Sequence, residues 1–428
     1  MDINRKTAYL TLLEIEKNQA YSNLELNKQI TENKPDNSAF VRELVYGVLE
    51  NKIYLDYLLE NLIERGLRGI KKPVLTLLRM GLYQIIFMDS VPGYAATSET
   101  VKLAKRMTPG RDGFINGVLR GYGKKGGDIS LPDRDRDLEG YLSVRYSYAR
   151  WIVRLWISQY GEEMAERLLA QGNRRPKLSV RVNLLKTDRS SLARDLRKQG
   201  FETEEAALSE RVLFVKGAGL LETEEYRNGL FSVQDQASVL AAEILDPKPL
   251  DTVLDICAAP GGKSLAMAEL MKNAGAVTAF DIHKHKLKLL EKEAVRLGIS
   301  IITAEENDGC VVREELVETA DRVLVDGPCS GLGVIRRKPE IKYKELTDQG
   351  RGLAEKQLQI LTVSGKYVKK GGVLLYSTCT VNQLENTEVI RKFLENNLDF
   401  EFVSDRQFLP ETDETDGFYI CKMRKKSR

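Results

Sequence analysis

From about Leu250 onward the chain repeats one pattern, a short apolar run followed by a longer amphipathic one, and this alternation constrains the fold more than any other feature. TVLDIC (252–257) precedes GGKSLAMAELMKN, AVTAFDI (276–282) precedes HKHKLKLLEKEAVRLG, and SIITAEEND, RVLVDGPC and GGVLLYSTCT follow. Runs this short and apolar suit strands buried on both faces, and the intervening stretches have the length and periodicity of crossover helices. An α/β fold with a mostly parallel sheet is therefore expected. FEFVSD and GFYICKMRK supply two last strands as a hairpin-like pair at its edge, giving seven in all.

The front of the chain has a different rhythm. AYLTLLEIEK, FVRELVYGVLENKIYLDYLLENLI, VLTLLRMGLYQIIFMD and ATSETVKLAKRM repeat apolar residues at three- and four-residue spacing, punctuated by Pro73, Pro92 and Pro109. This predicts an all-α domain over 1–125. GKKGGDISLPDRDRD, rich in glycine and charge, marks a linker placed at 126–140. Residues 141–245 mix helix with short strands such as LSVRVNLL and RVLFVKG and predict a small α+β middle domain, and 246–428 hold the parallel sheet. A chain of 428 residues needs more than one core.

Two of those strands end in cysteine, VDGPCSG at 325–331 and YSTCT at 376–380. Five cysteines in so long a chain form no disulfide framework, and no CxxC pair points to zinc. The only histidines, His283 and His285, are two apart on a predicted helix and do not face one another, so no metal is expected and a serine triad loses its usual base. With no secretory signal and no apolar run of about 20 residues, a cytoplasmic protein without membrane contact is expected. Cys257, Cys310 and Cys421 read as core packing.

Net charge is only +3, but the cations cluster. Lys102, Lys105, Arg106, Arg111, Arg120, Lys124 and Lys125 face a single acid, Asp112, in one stretch, and further groups occur at Arg174–Arg181, at Arg336, Arg337 and Lys338, and in the tail Lys422–Arg428. Each alone is compatible with a solvated helix face, and together they favour a polyanionic partner.

DICAAPGGKS (255–264) places small residues and two glycines between a strand and its helix, so backbone can approach a ligand closely where helix N–H groups point at it. It is neither GxGxxG nor a P-loop. Asp281 ends the second strand, where acids bind ribose hydroxyls in open α/β sheets, and Asp308 ends the third.

AAPGGK, the acid after the second strand, DGPCSG and STCT together resemble the cytosine-5 RNA methyltransferases that use S-adenosylmethionine. FVRELVYGVL, LRMGLYQIIFMDSVP and FINGVLR are similar to the NusB-like domain at the front of the bacterial Sun/RsmB branch, which methylates small-subunit (16S) ribosomal RNA. RYSYARW, RVNLLK, GLFSVQDQAS, IRRKPEIKY and DGFYICKM resemble that branch's other marker stretches, so the likeness covers nearly the whole chain. It departs at Tyr148 and Ala149, where many members have His-Pro, and at Gln236, where an acid is frequent.

The resemblance implies a Rossmann-like S-adenosylmethionine-dependent domain, preceded by a NusB-like domain and the middle domain. It makes Cys379 the nucleophile, gives Cys329 the resolution of the covalent product, and places Lys263 in the active site. Cys257, Ala258, Ala259, Pro260, Gly261, Gly262 and Lys263, with Asp281, Asp308 and Asp326, form the expected cofactor set. Arg120, Arg181, Asn183, Arg336, Arg337 and Lys338 are the expected contacts to ribosomal RNA, and a monomer is expected.

The chemistry is consistent with two thiols. Carbon 5 of cytosine is a poor nucleophile, and thiolate addition at carbon 6 makes it an enamine carbon able to attack a methyl group. A base must then remove the carbon-5 proton as the enzyme sulfur leaves. Asp326, fixed before glycine and proline, suits the exocyclic amine of a flipped-out cytosine. A predicted helix from near Asn382 puts its N-terminus beside Cys379, favouring the thiolate. An amino-group methyltransferase would leave both cysteines idle, and a noncatalytic RNA-binding factor would leave the strand-end motifs without purpose. Transfer RNA stays open as a rival substrate.

Overall fold

The computed structural model describes residues 2–18, 21–125, 129–344 and 349–427. Contacts divide the chain into two units, Met1–Arg174 with Ile335–Glu345, and Arg175–Val334 with Leu346–Arg428. Of the expected linker, 126–128 lie outside the described residues.

The first unit is helical. Helices Ile3–Asn18, Ser38–Glu50, Lys52–Leu62, Lys72–Phe87, Gly93–Met107 and Asp112–Lys125 pack around one apolar core, with Leu44, Leu55, Leu77 and Leu78 fully buried. Lys72–Phe87 takes Pro73 in its first turn, where a missing N–H costs nothing. Its Arg79, inside this core, is held by Asp56 at 2.6 Å and Glu16 at 3.1 Å. Helix Leu138–Tyr146, which starts inside the expected linker, and helices Arg150–Tyr160 and Glu162–Gln171, which the sequence pattern grouped with the middle domain, belong to this unit. So does Ile335–Glu345: Glu340 accepts from Ser22 N–H at 3.2 Å and Oγ at 2.8 Å, and the buried Lys342 donates to the Glu50 carbonyl at 3.0 Å.

The second unit holds two sheets. Strands β1 (Leu178–Val182), β2 (Glu202–Glu205), β3 (Val212–Lys216) and β4 (Phe231–Val233) form an antiparallel sheet in the order β2-β3-β1-β4. Strands β5 (Thr252–Asp255), β6 (Ala276–Asp281), β7 (Ile302–Glu306), β8 (Ala320–Asp326), β9 (Val368–Thr378), β10 (Phe400–Phe408) and β11 (Phe418–Lys425) form a sheet ordered β10-β11-β9-β8-β5-β6-β7. β5 to β9 run parallel, while β11 lies antiparallel between β9 and β10. This is the Rossmann-like arrangement expected. The strand order reverses between β5 and β8, so the loops after them diverge and leave a crevice at their carboxyl ends, where open α/β sheets bind ligands. AAPGGK and DGPC occupy those two loops.

Candidate active site

Asp326, the last residue of β8, pairs in register with Ser377 on β9, so both strands stop side by side. The Gly327 N–H donates to the Ser377 carbonyl at 2.9 Å and the Gly333 N–H to the Cys379 carbonyl at 3.0 Å, closing one loop onto the other. Gly333 is required there, since a Cβ would lie 1.8 Å from the Gly417 carbonyl oxygen. The result is that the sulfurs of Cys329 and Cys379 meet at 3.3 Å. Two thiols at two strand ends are thus one site. A hydrogen bond to the Cys379 sulfur, and then burial, hold the Cys329 thiol well above the usual cysteine range.

Lys263 joins them from the glycine-rich loop. Its Nζ lies 2.7 Å from Oδ2 of Asp326, whose Oδ1 accepts from Ser377 Oγ at 2.8 Å. Burial works against the ammonium, but the Asp326 carboxylate outweighs it, and Asp255 and Cys379 add smaller contributions, so the Lys263 pKa is raised. The predicted helix near Asn382 does not form there. Asn382 caps a short 3-10 turn, Gln383–Glu385, and the helix runs from Thr387 to Asn396. A helix dipole acts within about one turn, so a helix beginning at Thr387 does not reach Cys379, whereas Lys263 is close enough to interact with it electrostatically.

The misplaced helix start hid one residue. Glu385, assigned by periodicity to a helix, has no exposed surface and lies under both cysteine loops. Its Oε2 accepts from the Ser330 N–H at 2.7 Å and from Gln357 at 3.2 Å, and its Oε1 from Asn382 at 2.9 Å. It ties the residue after Cys329 to the turn after Cys379.

The expected cofactor residues lie along the loop after β5 and at the end of β6. Cys257, Ala258, Ala259, Pro260 and Gly261 form the loop, and Gly262 and Lys263 open helix Gly262–Leu270, whose first N–H groups have no intrahelical acceptor. Gly261 sits at φ +105° with Leu290 side-chain atoms 2.5 Å from where a Cβ would stand, so only glycine fits. Asp281 accepts from the Ala259 N–H at 3.2 Å and the His283 N–H at 2.8 Å, placing its carboxylate at the loop. Asp308 stands exposed two residues beyond β7 rather than at its end, accepting from the Cys310 N–H at 3.0 Å. Burial pushes Asp255 up to about 7, and its Oδ1 has no hydrogen-bond partner among the described residues while Oδ2 accepts from Ser264 at 2.6 Å. A glycine-rich loop that opens a helix, the Asp281 carboxylate beside it and an orphaned buried oxygen fit a nucleoside-bearing cofactor.

The expected RNA contacts separate. Arg181 and Asn183 have no exposed surface. Arg181 makes a two-pronged ion pair with Glu269, at 2.9 and 3.1 Å, donates to the Gly262 carbonyl at 2.8 Å, and also bonds Gln234. Asn183 donates to the carbonyls of Gly229 and Leu297, each at 2.9 Å. Both are structural: a buried cation is stable only when paired and hydrogen-bonded, and for Arg181 this is done by Glu269, which it shares with Arg211, together with Gln234 and the Gly262 carbonyl. Arg120 is exposed on helix Asp112–Lys125 of the first unit, and Arg336, Arg337 and Lys338 are partly exposed in its 335–345 stretch. Cys421 is buried, and Cys257 and Cys310 pack against the same core.

Residues 242–424 match the family described as 16S rRNA methyltransferase RsmB/F, 2–124 the NusB family, and 148–221 the RsmF/B-like ferredoxin-like domain. A relative from Bacillus subtilis (strain 168), "Probable ribosomal RNA small subunit methyltransferase B", is 44% identical, covering 99% of this chain and 98% of the relative. A crystal structure of PH0851 superposes with a TM-score of 0.85 at 25% identity, covering 99% of this chain and 98% of that one. A methyltransferase homologue from Pyrococcus horikoshii superposes with a TM-score of 0.60 at 28% identity, over 66% and 97% of the two chains.

Proposed function

The chain belongs to the family of ribosomal RNA small subunit methyltransferase B, and from that premise we propose that it transfers a methyl group from S-adenosyl-L-methionine to carbon 5 of a cytosine in 16S ribosomal RNA. The observation that carries this reading is the 3.3 Å apposition of Cys329 and Cys379 beside the Lys263–Asp326 pair. Methylation of a nitrogen or oxygen needs no sulfur from the enzyme, whereas carbon 5 does.

When bound, S-adenosylmethionine supplies an electrophilic methyl group. The loop 257–263 would hold it, with Asp281 on the ribose and Asp308 beside it. Cys379 adds to carbon 6, and the electron pair displaced onto carbon 5 makes that carbon the nucleophile. Lys263 favours negative charge on the Cys379 sulfur, and Asp326 accepts from the exocyclic amine of the cytosine. After transfer, Cys329 takes the carbon-5 proton while the Cys379–carbon 6 bond breaks and its electron pair returns to sulfur. To act as the base Cys329 first gives its own proton to solvent, and bonding of Cys379 to carbon 6 eases that loss by removing the sulfur–sulfur hydrogen bond that chiefly raises its pKa.

In the same reading residues 1–125 bind RNA, the antiparallel sheet region from Arg175 to about 245 is the middle domain, and the parallel-sheet region from 246 carries out the chemistry. Arg120, Arg336, Arg337 and Lys338 are further phosphate contacts. Among the described residues no helix is long and apolar enough to cross a membrane; ribosomal RNA as substrate supports a cytoplasmic site of action.

Bisulfite sequencing of RNA from cells with and without the protein tests the reading: one protected cytosine in 16S RNA is expected, and its appearance in transfer RNA instead would overturn the substrate. Cys379→Ala should abolish turnover. Cys329→Ala should trap a protein–RNA adduct on denaturing gels, and normal turnover in either variant would refute the assigned chemistry.

A further inference from the structure

Helices Lys72–Phe87, Gly93–Met107 and Asp112–Lys125 of the first unit enclose a groove of about 760 Å³. Lys102, Lys105, Arg120 and Lys124 line it, and among the described residues no acidic side chain does. Lys102 is paired with Glu99 at 2.6 Å, but Lys105, Arg120 and Lys124 form no ion pair with any described residue. Cations gathered without acids repel one another, and a bound polyanion removes that cost. Tyr94, 81% exposed as a residue, also lines the groove, and Asn116 adds an amide able to donate and accept.

Cations alone would suit any polyanion. An exposed aromatic ring beside them is the combination that takes the backbone of a single strand while stacking on a base. A duplex hides its base faces and offers Tyr94 nothing to stack on. We propose that this groove holds a single-stranded segment of the RNA substrate outside the target cytosine, its phosphates on Lys105, Arg120 and Lys124 and one base on Tyr94. The inference rests on RNA being the substrate and adds which surface grips it and in what form.

Fluorescence anisotropy of the full chain with a short labelled single-stranded oligonucleotide of adenine and uracil, which offers no cytosine to the catalytic site, tests it. Tyr94→Ala should weaken binding about 5- to 150-fold, the worth of one stacked base. Lys105→Glu with Arg120→Glu should lower the slope of log affinity against log salt by about 1.4 or more. All these side chains are exposed, and unchanged thermal midpoints confirm intact folding. Wild-type affinity in both variants, equal affinity for the matching duplex, or equal competition by polyglutamate would overturn the proposal. Carbon-5 methylation by the same wild-type preparation separates the two failures: methylation with unaltered binding in the variants sinks only the groove, and absence of methylation sinks the catalytic reading.

Discussion

At the residue scale the site depends on a carboxylate that touches neither sulfur. Glu385 offers only acceptors, and three donors converge on it from the two cysteine loops and Gln357. Glu385→Gln replaces one acceptor oxygen with an amide that faces a donor, so one loop must shift. A displacement of about 1 Å between reacting groups is worth roughly a hundredfold in rate, and leaving a buried donor unsatisfied costs about 1–3 kcal/mol. Turnover measured by tritium transfer from labelled cofactor should therefore fall by about that factor, with a modest loss of stability. Full activity would show that the loops hold their register without it.

At the element scale the stretch Ile335–Glu345 is the least ordinary piece of the fold, because it follows the DGPC loop in sequence yet belongs to the helical unit. Lys342 anchors it, fully buried against the Tyr148 ring with Nζ 4.3 Å from the centroid, and burial pushes its pKa down to about 7. In the unfolded chain a lysine titrates near 10.4, so between those values the unfolded state binds a proton that the folded state lacks. Stability therefore rises with pH across that window and is lost as pH falls towards 7. Between pH 7.5 and 9.5 the wild type should gain up to about 2–3 kcal/mol over Lys342→Met in urea unfolding. Parallel curves would mean that the surrounding carbonyls keep the ammonium charged.

At the scale of the whole molecule, the two units have separate apolar cores. Leu77→Ala in the first and Leu374→Ala in the second each remove a fully buried side chain, at a cost of about 2–5 kcal/mol. Calorimetry should show two transitions, each variant lowering one of them. A single transition moved equally by both would show that the units unfold together.

The alternation after Leu250, the glycines of AAPGGK and the two strand-end cysteines were legible without coordinates, because periodicity and turn chemistry are local properties of a chain. They were enough to bring Cys329, Cys379, Lys263, Asp326 and Asp281 to one sheet edge. Burial of charge is not local. Arg181 and Arg120 look alike in sequence, and only packing puts the first inside against Glu269 and leaves the second at the surface. The same holds for Glu385, assigned by periodicity to a helix that starts two residues later, and for 335–345, whose cations are partly shielded. The sequence alone determined where the reacting groups stand along the chain. Tertiary structure decided which charges meet solvent, since that depends on partners distant in sequence.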